Sequence, residues 1–353
     1  MINVAALFHI VGRFLLALGG VLLIPLSISL AAGEDLQPFL YTIAISCGIG
    51  ALLLYLTRGP EKDFSQREAI LLVFLIWILS STIGCLPFYF SPWFSGFTDA
   101  FFEATSGFTT TGATILPDVE VLPMGLQFWR CITHWLGGMG IVLLGIAILP
   151  LVGMGGMSLY RAEFSGAKSE KLKPRIKETA LALWKIYFAI TAALYISLRI
   201  AGMGPFDAIC HTFSTLGTGG FSTRTASIAA FDSPAIEAVI IVFMFLAGIN
   251  FTLHYRLWIE RRAGSFFSDI ELRFYTLILF AVTAAIVISL VMMNGYALSS
   301  AFRVSLFQVF SIMTTTGFVT DNFENWSSFA QLMLLALMFI GGSTGSTSGG
   351  LKV

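Results

Sequence analysis

Long apolar runs, broken by short polar stretches, follow one another along the whole chain. Their lengths predict membrane-spanning helices over roughly 4–30, 37–56, 67–90, 124–152, 178–202, 235–259 and 270–293, and one more from about 326, because about 20 helical residues cross a hydrocarbon core. Helix rather than strand follows, since a spanning segment of this length satisfies its own backbone hydrogen bonds. Three further apolar runs of roughly ten residues are too short to span but long enough for re-entrant helices.

Composition agrees with this pattern. The chain is 56% hydrophobic and 11% charged, against about 25% charged in soluble domains. This is an all-α polytopic membrane protein. The zero net charge favours no class of partner, and no nucleic-acid partner is expected. Cys47, Cys85, Cys131 and Cys210 lie scattered in or beside apolar segments, without metal-ligand or redox spacing. Arg13 within the first run, and the lack of a small-residue cleavage site, mark that run as a retained helix.

The loops alternate in charge. Segment 57–68 holds Arg58, Lys62 and Arg67; 153–178 holds Arg161, Lys168, Lys171, Lys173, Arg175 and Lys177; 254–273 holds Arg256, Arg261, Arg262 and Arg273. Segments 31–38 and 91–123 have no basic residue, 203–234 has Arg224 and 294–324 has Arg303. The positive-inside rule places the first set, and the N-terminus, in the cytoplasm. The opposite face is then acidic, with residues such as Glu34, Glu103, Asp207 and Asp321, and attracts cations weakly.

Three outer segments repeat one another: "FTDAFFEATSGFTTTGATIL" (97–116), "PFDAICHTFSTLGTGGFSTR" (205–224) and "RVSLFQVFSIMTTTGFVTDN" (303–322). With Gly112, Gly220 and Gly317 superposed, Ser106, Ser214 and Ser311 coincide, as do Thr110, Thr218 and Thr315. One such stretch alone would be an ordinary polar turn; three in register imply a structural unit used again. The unit is helix, short amphipathic helix, Thr/Gly loop, helix. Irregular backbone at membrane depth must be buried in protein or line water. Several loops around one axis meet that condition and can turn carbonyls toward a dehydrated cation. Asp99 and Asp207 stand at the starts of the short helices, where they read as N-caps.

These residues resemble a known family. The stretches "TSGFTTTGAT", "HWLGGMGIVLLGIAILPL", "GMGGMSLYRAE", "KPRIKETA", "GGFSTRTASI", "FDSP", "TTTGFVTD" and "GGSTGSTSGGLKV" are similar to those of Trk-type potassium uptake proteins (the TrkH/TrkG type) of the Trk/Ktr/HKT superfamily. The resemblance implies four helix–re-entrant pore loop–helix units around a pseudo-fourfold pore, in a homodimer, in the bacterial inner membrane. It implies a selectivity filter with one glycine per repeat. Here its positions are Thr110, Thr111, Gly112 and Ala113; Thr218, Gly219, Gly220 and Phe221; and Thr315, Thr316, Gly317 and Phe318. Plant relatives with serine at the first glycine prefer sodium, so Gly112 favours potassium. A cytoplasmic nucleotide-binding regulatory ring of the TrkA type is the implied partner, reached through the basic loops, whose charges otherwise only set topology. No covalent cofactor is implied; the potassium ion is the transported ligand.

The resemblance divides the chain into an N-terminal helix pair (1–60), a first pore repeat (61–155), a second (156–262) and a third (263–353), with no fourth. Three quarters of a filter do not enclose an ion, so the expectation is a truncated protein with an incomplete pore. Potassium uptake is the expected function; a non-conducting fragment and a sodium/potassium-type transporter are the alternatives.

The run Gly341, Gly342, Ser343, Thr344, Gly345, Ser346, Thr347, Ser348, Gly349 and Gly350 follows the last apolar run. Its glycines leave the shape open, and its hydroxyls can satisfy peptide groups at membrane depth. We expect an intramembrane gate, as the resemblance implies, with Lys352 binding the loop's carbonyls or an acidic partner; the alternative is a flexible tail. Arg130 and His134, one turn apart, are expected to anchor helices beside the filter, and Asn250 to brace neighbouring helices. An enzyme is not expected, because His9, His134, His211 and His254 are dispersed. "GSTSGGLK" is not a Walker A loop, since Leu351 separates glycine from lysine. The repeats recur in one orientation, unlike the inverted repeats of many secondary transporters.

Overall fold

The computed structural model describes residues 3–57, 66–152, 172–261 and 263–352, with the side chains at 66, 143–152, 172–177, 263 and 265 outside the description. The basic side chains of 153–178, together with Arg58, Lys62 and Arg262, lie outside it, as do the expected boundaries near 60, 155 and 262. The described chain is helical, without a named strand; the β-type pairing is an isolated parallel bridge between Ile340 and Leu351.

Two compact units form: Met1–Thr109 with Ala113–Thr133, and Thr110–Gly112 with His134–Val353. In the first, α1 (Val4–Ala32) and α2 (Gln37–Leu56) make a hairpin. Asn3 caps the start of α1, and Gly33 ends it in the left-handed region at φ 71°. The two helices touch through small residues. A Cβ on Gly12 would lie 2.9 Å from the Gly50 carbonyl, and the Ser46 hydroxyl donates to the Leu15 carbonyl at 2.7 Å. Close approach of this kind replaces the hydrophobic drive that lipid cannot supply. Helix α3 (Gln66–Gly84) runs into the short α4 (Leu86–Tyr89) and packs on α5 (Phe97–Phe108), with Phe108 filling the space over Gly84. The Trp129 indole, on α6 (Met124–Val152), donates to the Gly84 carbonyl at 2.8 Å.

The second unit holds α7 (Leu172–Ile200), α8 (Pro205–Leu216), α9 (Pro234–Ala247), α10 (Phe251–Trp258), α11 (Ala263–Phe267), α12 (Ile270–Asn294), α13 (Leu298–Met313) and α14 (Ser328–Phe339). Tyr187 on α7 donates to the Trp135 carbonyl at 3.0 Å, and Trp135 donates to Thr191 at 3.0 Å. Arg303 on α13 grips Glu237 on α9 with two hydrogen bonds of 2.7 Å. Ser233, Asp269 and Ser327 cap α9, α12 and α14.

Among the described residues, five helices are long and apolar enough to cross a membrane, or six if a bent pair counts as one span. Leu277, Met292 and Leu332 on α12 and α14 are 63%, 79% and 61% exposed, which suits lipid rather than water. The re-entrant segments form helices of 12, 12 and 16 residues. The expected single span 235–259 is corrected: α9 and α10 are bent by 96° at Gly248–Asn250. Asn250 does not brace a neighbouring helix there; its side chain accepts from the Thr252 amide at 2.8 Å and starts α10. A polar cap at that point is what makes a second helix start possible.

Candidate functional site

The short helices α5, α8 and α13 stop at one position of the repeat, at Thr109, Gly217 and Thr314. The next residue is a threonine in the left-handed region each time: Thr110 at φ 54°, Thr218 at 53° and Thr315 at 57°. Two residues on, Gly112, Gly220 and Gly317 take φ of 75°, 81° and 81°. A β-branched residue at such angles is an outlier and costs of the order of 1–2 kcal/mol. The same outlier three times in register marks backbone held by its surroundings for a purpose other than stability.

Packing repeats as well. Thr110–Gly112 belongs to the second unit. A Cβ on Gly112 would fall 1.7 Å from the Gly219 carbonyl oxygen, and one on Gly220 would fall 1.9 Å from that of Thr316. Each glycine thus faces the carbonyl just before the glycine of the following segment. A Cβ on Gly317 meets nothing within 4 Å among the described residues. The phenyl rings of Phe221 and Phe318 are buried. Phe221 stacks on His134 with ring centres 4.2 Å apart, and the Phe318 carbonyl accepts from Ser311 at 2.6 Å. Ala113 groups with the first unit.

Residues that the sequence reading missed hold the chain beyond the glycines. Glu103, His211 and Gln308 each stand nine positions before the repeat glycine. Glu103 accepts from Thr114, eleven residues on, at 2.9 Å and from the Arg130 guanidinium at 2.7 Å, with Glu103 and Arg130 both buried. His211 Nδ1–H donates to the Asp207 carbonyl at 2.7 Å, so its Nε2 accepts from Ser222, also eleven residues on, at 2.9 Å. In the third copy the matching position is Val319, with no hydroxyl. Gln308 is 1% exposed, and neither amide atom has a partner among the described residues. Aligning the copies nine before and two after the glycine would have found all three positions.

Arg130 anchors α6 to α5, and His134 lies over the second segment, with the Phe221 amide 3.5 Å from its Nδ1. Asp99 and Asp207 are not N-caps. Gly96 and Gly204 hold those positions, and the aspartates sit in the first helical turn, where their charge still complements the helix dipole. Asp207 accepts from Thr223 at 2.6 Å and from Arg224 at 3.1 Å. The acidic outer face is smaller than expected. Glu103 is buried, and Asp321 accepts from Tyr296 at 3.0 Å and Trp326 at 2.9 Å.

The Gly341–Gly350 loop is folded rather than trailing. Its neck is pinched: the Gly341 amide donates to the Leu351 carbonyl at 2.7 Å, and a Cβ on Gly341 would lie 1.9 Å from the Gly349 oxygen. Only glycine fits such a crossing. The α9–α10 break supplies a socket. The Gly248 carbonyl accepts from the Ser343 amide at 2.9 Å, the Ala247 carbonyl from the Thr347 hydroxyl at 3.1 Å, and the Phe251 amide donates to Gly345 at 3.0 Å. Inside the loop, Ser346 donates to the Ser343 carbonyl at 2.6 Å and contacts Ser348 at 2.9 Å, while Ser348 accepts from the Gly342 amide at 3.0 Å. The Thr344 amide donates to Glu271, and Lys352 to the Ser348 carbonyl. The Gly349 amide donates to the Thr315 hydroxyl at 2.7 Å, joining this loop to the third Thr/Gly segment. No group of three or more metal-ligating side chains exists among the described residues.

Repeated short helices, each ending in a strained Thr/Gly segment and set among apolar spanning helices, define a membrane protein of the pore-loop class. A family profile described as "TrkH: Cation transport protein" matches residues 35–353. The chain is 42% identical to the Trk system potassium uptake protein TrkH of Escherichia coli K12, over 99% of this chain and 73% of that protein. It is 36% identical to the Trk system potassium uptake protein TrkG of the same organism, over 90% of this chain and 66% of that one. The crystal structure of the potassium transporter TrkH from Vibrio parahaemolyticus superposes with a TM-score of 0.88 at 36% identity, over 99% of this chain and 72% of that one. The chain belongs to the TrkH cation transport protein family, a family of transporters rather than enzymes. The matches take in 99% of this chain and 73% and 72% of the length of those two TrkH relatives.

Proposed function

We propose that this protein takes up potassium across a bacterial inner membrane through a filter formed by the Thr110–Ala113, Thr218–Phe221 and Thr315–Phe318 segments. The observation that carries this reading is the threefold backbone signature, threonine at φ 53–57° and glycine at φ 75–81°, packed glycine against carbonyl between successive segments. Such backbone offers carbonyl oxygens, and rings of carbonyls replace the hydration shell of a cation. The names of the relatives supply potassium as the ion. Gly112, without a side chain, suits potassium over sodium.

In this reading the Gly341–Gly350 loop is the gate. Its hold on the α9–α10 break supports the role, because the loop fills with hydrogen bonds a gap that lipid could not satisfy. The domain reading also stands as a proposal: a helix pair followed by three pore repeats. We place the N-terminus in the cytoplasm on the basic asymmetry of the loops. A second copy and a nucleotide-binding ring of the TrkA type are the proposed partners, the ring meeting the segment of Arg256, Arg261 and Arg273.

Potassium uptake by sealed vesicles carrying the full chain, with sodium as competitor, tests the function. Saturable potassium uptake that excess sodium does not suppress is expected; equal competition by sodium would overturn the potassium reading. Orientation is tested by an impermeant thiol reagent, which should reach Ser95→Cys or Ser299→Cys from outside intact cells. Labelling only after the cells are opened would reverse the topology.

A further inference from the structure

The filter and the gate are not separate objects in this chain, and the atom that joins them is the Thr315 side-chain oxygen. Its single hydrogen is committed, since Thr315 Oγ1 donates to the Thr314 carbonyl at 2.7 Å. Its lone pair accepts the Gly349 amide at 2.7 Å. One hydroxyl therefore links a carbonyl at the end of α13 to the gate loop's backbone, across 34 residues of sequence. The matching hydroxyl of the second copy, Thr218, donates in the same way to the Gly217 carbonyl at 2.7 Å.

The third segment is held differently beyond its glycine. The first two copies pin the chain beyond the glycine to a buried side chain on the short helix, Glu103 or His211. In the third, among the described residues, Gln308 makes no such bond and nothing lies within 4 Å of a Cβ on Gly317. Its outer limb is held by Ser311 to the Phe318 carbonyl and by Ser227 to the Val319 amide, both beyond Gly317. On the inner side, where α13 ends, Thr315 meets the gate.

We propose that the Thr315 hydroxyl is a positioning group that couples closure of the Gly341–Gly350 loop to cation occupancy of the third filter segment. Lifting the loop removes the amide that fixes the Thr315 rotamer, and the left-handed turn at Thr315 then relaxes. Conversely, a cation that orders the filter carbonyls holds Thr315 in the geometry that accepts Gly349. Coupling between two sites is reciprocal by linkage, so potassium bound at the filter protects the loop. The inference rests on the filter and gate assignment above and deepens it.

The test is hydrogen exchange of the peptide covering 341–351 in the full chain, in potassium and in sodium, alongside thermal unfolding in both salts. In the wild type, potassium should raise the melting temperature and slow exchange of this peptide about fivefold relative to sodium, the scale of one net hydrogen bond. Thr315→Val keeps the shape, loses the hydroxyl, and should abolish the potassium dependence of exchange. Thr315→Ser should retain it, which a merely space-filling role of the side chain would not require. If the valine variant does not fold, Thr315→Ala takes its place, and the wild-type comparison stands by itself. Potassium stabilisation with unchanged loop exchange, or potassium-dependent protection that survives loss of the hydroxyl, overturns the coupling and leaves the filter intact. Absence of any potassium effect on wild-type unfolding overturns the filter assignment, and the coupling with it.

Discussion

Glu103 and His211 each carry a bond to a hydroxyl two residues past their repeat glycine, whereas Gln308, at the same place in the third repeat, carries none among the described residues. Yet all three segments share one backbone, with threonine and glycine both in the left-handed region. The side-chain brace is therefore not what creates this shared conformation. That conformation comes from the end of the short helix and from a glycine that accepts positive φ at no steric cost. An acid–arginine pair, a histidine–serine pair and an amide with no hydrogen-bond partner among the described residues stand at one position of the repeat, and in the third copy Ser311 and Ser227 hold the chain at Phe318 and Val319 instead. The third repeat is also the one whose Thr315 hydroxyl accepts the Gly349 amide of the Gly341–Gly350 loop.

The sharpest way to break this comparison is to exchange its extremes. Arg130→Met leaves Glu103 buried without its cation. Removing one partner of a buried pair costs about 3–5 kcal/mol, so a marked fall in melting temperature is expected. Gln308→Leu, at the position equivalent to Glu103, removes an amide that has no partner among the described residues and should be neutral or stabilising, as apolar replacement of unpaired polar groups generally is. Similar losses in the two variants, read by thermal unfolding in detergent, would mean that Gln308 holds a partner after all.

The glycines give a smaller, graded contrast. Alanine at any of the three meets positive φ, at a cost of about 1–2 kcal/mol. Gly112→Ala and Gly220→Ala must also displace a neighbouring carbonyl, now only 1.7 and 1.9 Å from the added carbon. Both should lose potassium-dependent stabilisation, while Gly317→Ala keeps most of it. Equal losses in all three would reveal a further element packed against Gly317.

The smallest effect tests whether stiffness can be supplied. Val319→Thr restores the missing hydroxyl to the third repeat. A new bond to Gln308 should add about 0.5–1.5 kcal/mol, one hydrogen bond's net worth, and should narrow the difference in hydrogen exchange between the third segment and the other two. A variant that unfolds at the wild-type temperature would place Gln308 out of reach of residue 319.

Much of this protein was legible before any coordinates. Apolar run lengths gave five spanning helices among the described residues, because lipid imposes one length scale on every segment, but the run from about 326 forms only the 12-residue α14. Short runs ending in Thr/Gly gave the re-entrant helices and the repeat, through the self-similarity of 97–116, 205–224 and 303–322. Composition marked Gly341–Gly350 as irregular backbone. These features are local, and local propensity with solvent matching decides them.

Packing decided the rest. Hydropathy read 235–259 as one helix, because each half is apolar; only the loop seated on Ala247 and Gly248 shows why the helix breaks there. Asp207 looked like a cap, yet Thr223 and Arg224, far along the chain, claim its carboxylate. Glu103 looked like part of an acidic surface until Arg130 met it inside. The bond from Gly349 to Thr315 joins residues that no sequence periodicity relates. A sequence states which groups need partners, since burial without one is costly. Which partner each group takes is a matter of distance, and distance exists only once the helices have packed.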